Sequence, residues 1–95
     1  MKVYSWITFV SGAPGNGGEV RAICAARSMA EVARRAGEKS PRVLLNLRTT
    51  NNERAVALAS AHPGEVLVRP VTDWDASFRV WSKGARWDEM PEATP

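Results

Sequence analysis

The chain has one cysteine (Cys24) and one histidine (His62) in 95 residues. A disulfide framework is therefore excluded, and a zinc site, which draws four ligands chiefly from Cys and His, is not expected. No apolar run approaches the roughly 18 residues of a membrane-spanning helix. The opening Met1-Lys2-Val3-Tyr4-Ser5-Trp6 lacks the apolar stretch and small-residue cleavage site of a secretory leader. Strong charge of either sign is also missing: thirteen Lys+Arg against ten Asp+Glu give +3, short of a histone-like excess. These absences lead us to expect a small cytoplasmic protein with no membrane, metal or cofactor.

What remains is ordinary globular material, 44% hydrophobic and 24% charged. It is enough for one domain, because a chain this short buries only about two-thirds of its unfolded surface. The basic residues are concentrated. Residues 19–48 hold Arg21, Arg27, Arg34, Arg35, Lys39, Arg42 and Arg48 against Glu19, Glu31 and Glu38. Such a stretch suits an anionic partner, although arginine also serves simply to solvate a helix surface.

Residues 2–10 read as a strand, with Val3, Ser5, Ile7 and Phe9 on one face and Tyr4, Trp6 and Thr8 on the other. After the Gly/Pro/Asn loop 11–18, residues 19–25 alternate again, which predicts an antiparallel hairpin. From Ser28 the period changes. Ser28 with Glu31 has capping-box spacing, Met29, Val32, Ala33 and Ala36 fall at helical intervals, and Gly37 is a natural helix stop. Ser40-Pro41 then offers another helix start. The run Arg42 to Leu47 reads as a second short helix on that basis, with a strand as the alternative. Residues 53–61 form a third, Ala-rich helix ended by His62-Pro63-Gly64. Residues 65–71 and 76–81 read as strands, and 91–95 as a tail following a single domain over 1–90. The expected fold class is α+β: a small antiparallel sheet built from N- and C-terminal hairpins around a helical segment, in the order β-β-α-α-α-β-β.

Within that segment, Ser28-Met29-Ala30-Glu31-Val32-Ala33-Arg34-Arg35-Ala36-Gly37 followed by Ser40-Pro41-Arg42-Val43-Leu44 resembles the helix-turn-helix of lactose-repressor-type regulators. Ala33 would be the small residue at the helix crossing, and Gly37 the turn residue tolerant of positive φ. The resemblance implies that the second helix enters the major groove of duplex DNA. Arg42 would then face guanine and Asn46 adenine, with Arg34, Arg35, Lys39, Ser40 and Arg48 on phosphates. Specific binding by so small a unit implies a possible homodimer. The compact, Ala/Arg-rich style also resembles small bacteriophage proteins, for which a host protein is the alternative partner.

Other features carry less. Gly12-Ala13-Pro14-Gly15-Asn16-Gly17-Gly18-Glu19 looks like a phosphate-binding loop but has Gly18 and Glu19 where such a loop needs Lys and Ser/Thr. Four tryptophans are many for this length. Trp74, Trp81 and Trp87 are interleaved with Arg79, Lys83 and Arg86. Trp74, Arg79, Trp81, Arg86 and Trp87 could form a protein-binding patch or a single-strand stacking platform, or Trp6 and Trp81 could fill the core with Arg79 stacked on a ring. The pairs Asp73/Asp75 and Asp88/Glu89 come with no nucleophile or base at a recognisable spacing, so no enzymatic activity is expected.

Overall fold

The computed structural model describes residues 1–73 and 75–95. Five strands form one antiparallel sheet: β1 (Lys2–Phe9), β2 (Glu19–Ala26), β3 (Leu45–Thr49), β4 (Leu67–Pro70) and β5 (Arg79–Val80), in the spatial order β3-β1-β2-β4-β5. Two α-helices interrupt them, α1 (Met29–Arg35) and α2 (Glu53–Ala61). The class is α+β, but the expected order with three helices is wrong. The chain runs β-β-α-β-α-β-β, and the segment after α1 is a strand.

The β1–β2 hairpin pairs from Lys2 opposite Ala26 to Phe9 opposite Glu19. The loop between them closes through Gly18, whose carbonyl accepts from Val10 N–H at 2.9 Å. Gly18 has φ 87°, and a Cβ there would stand 2.5 Å from the Val10 carbonyl oxygen, so only glycine fits.

Helix α1 begins and ends as its sequence predicts. Glu31 N–H donates to Ser28 Oγ at 3.2 Å, while the Glu31 carboxylate accepts from Arg27 N–H at 2.7 Å. At the other end Glu38 N–H bonds Ala33 O and Gly37 N–H bonds Arg34 O, with Gly37 at φ 76°. This paired closure satisfies the last carbonyls and stops the helix.

The second expected helix fails for a local reason. Ser40 does cap a turn, its Oγ accepting from Arg42 N–H at 3.2 Å, but that turn is a 3-10 segment of only Pro41–Val43. Leu44 is already extended, and Leu45–Thr49 pairs with β1. The open edge of β1 offers a whole row of backbone partners, and a Val-Leu-Leu run suits a strand at least as well as a helix. Register is kept by a bulge. From Ser5 to Ile7 on β1, β3 advances from Arg48 to Leu45, one residue more. Asn46 takes up the extra residue at φ 57°, a conformation that Asn tolerates better than most.

Each face of the sheet has its own core. On the first, Tyr4, Trp6, Val20, Ala22, Cys24 and Val68 pack under Val32 of α1, with Trp87 and Met90 from the C-terminal segment. On the second, Val3, Ile23, Ala25 and Leu67 pack under Ala55 and Ala59 of α2, with Phe78 and Ala93. Residues 91–93, expected as part of a tail, lie along β5: Val80 N–H donates to Pro91 O and Ala93 N–H to Phe78 O. Among the described residues no helix is long and apolar enough to cross a membrane.

Candidate anion-binding site

Helix α2 covers only part of the second face. Where its first turn ends, a cleft of about 270 Å³ opens between the helix and the sheet. Four arginines line it, each from a different element: Arg21 from β2, Arg48 from β3, Arg54 from α2 and Arg69 from β4. Ser5, Thr50 and Asn52 add polar groups, and Phe78 closes one side.

Strand alternation puts these side chains together. Arg21 lies on the same face of β2 as Ile23 and Ala25, and Arg69 on the same face of β4 as Leu67. The register sets Arg21 directly opposite Arg69, and Arg48 directly opposite Ser5. Like charges directly opposite on neighbouring strands destabilise a sheet, so this pairing is a cost that the fold carries.

Arg69 is only 7% exposed. Its guanidinium lies 5.5 Å from the centre of the Phe78 ring and donates to the carbonyls of Asp73 (3.1 Å) and Pro70 (3.4 Å). Burial, then the charges of Arg21 and Arg54, push its pKa below the ordinary arginine value, with Asp73 pulling the other way. It stays a cation, held under electrostatic load. Arg21 donates to Ser5 Oγ at 2.9 Å. Arg54 reaches Ala76 O at 3.3 Å. Among the described residues no carboxylate pairs with Arg21 or Arg48. The first turn of α2 carries Glu53 and is capped by Asn52, whose side-chain oxygen accepts from Ala55 N–H at 3.0 Å.

The cationic residues predicted from sequence are, Arg48 apart, not those of the cleft. Arg34 and Arg35 are exposed at the end of α1, whose Val32 packs on the first face, so they lie across the sheet from the cleft. Arg35 pairs with Glu31 at 3.6 Å. Lys39 and Arg42 are exposed around the 3-10 turn, Ser40 caps it, and Asn46 sits in the bulge of β3. No recognition helix presents Arg42 and Asn46 to a groove, because residues 42–47 are turn and strand. Of the seven, Arg48 alone lines the cleft.

The structure brings Arg79, Trp81 and Trp87 of the expected aromatic patch together, with Trp87 buried. Trp87 and Trp6 are core residues, and Trp81 packs half-buried against them. Arg79 stacks 4.4 Å from the centre of the Trp87 ring and donates to Trp87 O at 2.7 Å, while Arg86 is exposed. Trp74 lies outside the described residues.

Sequence reading missed Arg21, Arg54 and Arg69 as a group. The signal was available. In β2 Arg21 directly precedes Ile23 and Ala25 on a core-facing strand face, and in β4 Arg69 follows Leu67 in the same way.

A wider depression of about 620 Å³ lies between the N-terminus and α2, lined mainly by Val3, Thr49, Val56, Ala57 and Ser60. It gathers no comparable set of charges. Among the described residues no three His, Cys, Asp or Glu side chains group as a metal site. No protein-family model, no curated protein and no solved structure matches this chain. The site is therefore read from its own geometry.

Proposed function

We propose that this domain is a non-catalytic binding protein that takes a phosphate-bearing ligand in the cleft of Arg21, Arg48, Arg54 and Arg69. The observation that carries the reading is the direct opposition of Arg21 and Arg69 in a sheet that could as easily have placed apolar residues there. A bound oxyanion would turn that repulsion into attraction. Planar guanidinium groups match phosphate oxygens two at a time, and hydrogen bonds to ionised groups are the stronger kind. Ser5, Thr50 and the start of α2 supply neutral donors beside them.

The test compares phosphate with chloride at equal ionic strength. Phosphate should raise the unfolding temperature of the native protein, and Arg48→Ala, at an exposed position, should remove most of that gain. Equal protection by both salts would end this reading.

A further inference from the structure

The cleft is closed on one side by α2 and open on the other. Beyond Ser5, the same face of β1 carries Ile7 and then Phe9, and Ile7 stands opposite Leu45 of β3. Ile7 is buried, at 8% exposed, but Phe9 is 61% exposed and Leu45 53%, with Val43 at 61% just before the strand. Exposed apolar side chains thus lie beyond the cationic cleft. There Glu19 stands opposite Phe9, which disfavours a further phosphate at that point and favours an uncharged group. Arg42 is exposed on the turn leading into β3, but that turn lies against α1, which packs on the other face of the sheet. The order along this face is therefore cation, then an apolar and aromatic surface.

Resting on the phosphate reading of the cleft, we infer that the ligand is single-stranded nucleic acid, with one phosphate among Arg21, Arg48, Arg54 and Arg69 and a neighbouring base laid on Phe9 and Leu45. Strand rise of about 3.3 Å per residue puts Phe9 roughly 13 Å from Ser5, within reach of a base one or two nucleotides along. Alternating phosphate and base contacts of this kind are how open strands are held, because unstacked bases offer their faces to aromatic side chains. A duplex keeps its bases stacked, so their faces are closed to Phe9.

The experiment is fluorescence anisotropy with labelled single-stranded octamers of DNA and RNA, a hairpin duplex of the same length, and unlabelled inorganic phosphate as competitor. Tight binding of either octamer, at least tenfold over the duplex, is expected. Phe9→Ala should weaken the octamer about 5- to 100-fold, the range of one lost stacking contact. It should leave inhibition by phosphate unchanged, and Phe9→Trp should restore binding. Phe9 is exposed, so these variants keep the core intact. Phosphate binding that persists while Phe9→Ala leaves octamer affinity within twofold, or while the duplex binds equally well, would overturn the single-strand inference and leave the anion site standing. Loss of phosphate protection in the native protein would bring down the cleft reading itself.

Discussion

Replacing Arg21 by methionine together with Ser5 by alanine should make the ligand-free protein more stable. Arg21 and Arg69 are direct cross-strand neighbours, but Arg21 reaches toward Ser5 on β1 and Arg69 toward the Asp73 carbonyl after β4, so their charges are about two strand spacings, on the order of 10 Å, apart. At an effective dielectric constant of about 20 two unit charges at that distance repel by about 2 kcal/mol. Arg21 is partly exposed and Arg69 also feels Asp73, so about 1 kcal/mol is the working figure. The hydrogen bond between Arg21 and Ser5 is the opposing contribution. Removing both of its partners at once avoids leaving a buried hydroxyl unpaired, and that exchange is nearly neutral. Methionine keeps much of the apolar stem that arginine lays on the sheet. The double variant S5A/R21M should therefore gain about 1 kcal/mol, or about 4–8 °C in Tm for a domain of this size. Urea unfolding followed by tryptophan fluorescence, in phosphate-free buffer of low ionic strength, measures it. Phosphate should protect the native protein and fail to protect the variant. A variant less stable than the native protein without phosphate would refute the argument that these arginines are held together at a cost.

Three further outcomes are expected. Asn46→Gly should leave stability unchanged or raise it slightly, whereas Asn46→Val should cost about 1–3 kcal/mol in denaturant melts, because only the bulge geometry at φ 57° distinguishes them. The protonated His62 ring donates from Nε2 to Thr94 O and from Nδ1 to the Glu65 carboxylate, and the Thr94 carbonyl first and Glu65 second raise its pKa. Its contribution is therefore complete below the unfolded histidine value and lost as pH rises through the higher folded one. The difference in stability between native protein and His62→Gln, measured by urea melts from pH 5 to 8.5, should shrink as pH rises. Burial pushes the Cys24 thiol up to about 11, so a thiol reagent at pH 8 should leave it unmodified in the folded protein and react once urea unfolds the chain.

Local signals were legible where one short-range pattern decides the outcome. The Ser28 cap, the Gly37 stop and the 53–61 helix rest on contacts within a few residues, and the β1–β2 hairpin on two alternating runs joined by one loop. Residues 42–47 were not legible because their conformation is decided by β1, some forty residues earlier, which needs an edge partner. Ser40-Pro41 began a turn as its chemistry demands, and tertiary pairing then overrode the helix. The site suffered in the same way. Clustering along the sequence drew attention to residues 34–48, whereas the cleft gathers Arg21, Arg48, Arg54 and Arg69 from four elements by strand register. Register is a long-range property, and charge counted along a chain carries little of it.

The position of the cleft follows from lengths. Helix α2 has nine residues and spans about 13 Å. Strands β1 and β2 have eight each and run about 26 Å. One such helix can shelter only about half of the face beneath it. The sheltered half is apolar at Val3, Ala25, Ile23 and Leu67, and the sequence turns cationic at the next position of each inner strand, Arg21 and Arg69. Two more turns of helix ahead of Asn52 would seal that row and make its charges far more costly to bury. Ending α2 where it does leaves Arg21, Arg48 and Arg54 within reach of water, with Arg69 tethered between Phe78 and the Asp73 carbonyl and Phe9 and Leu45 exposed beyond. The boundary between core and site is thus the boundary of one short helix. The residue pattern of the strands changes at the same line, which is why the cleft reads as a built feature of this fold.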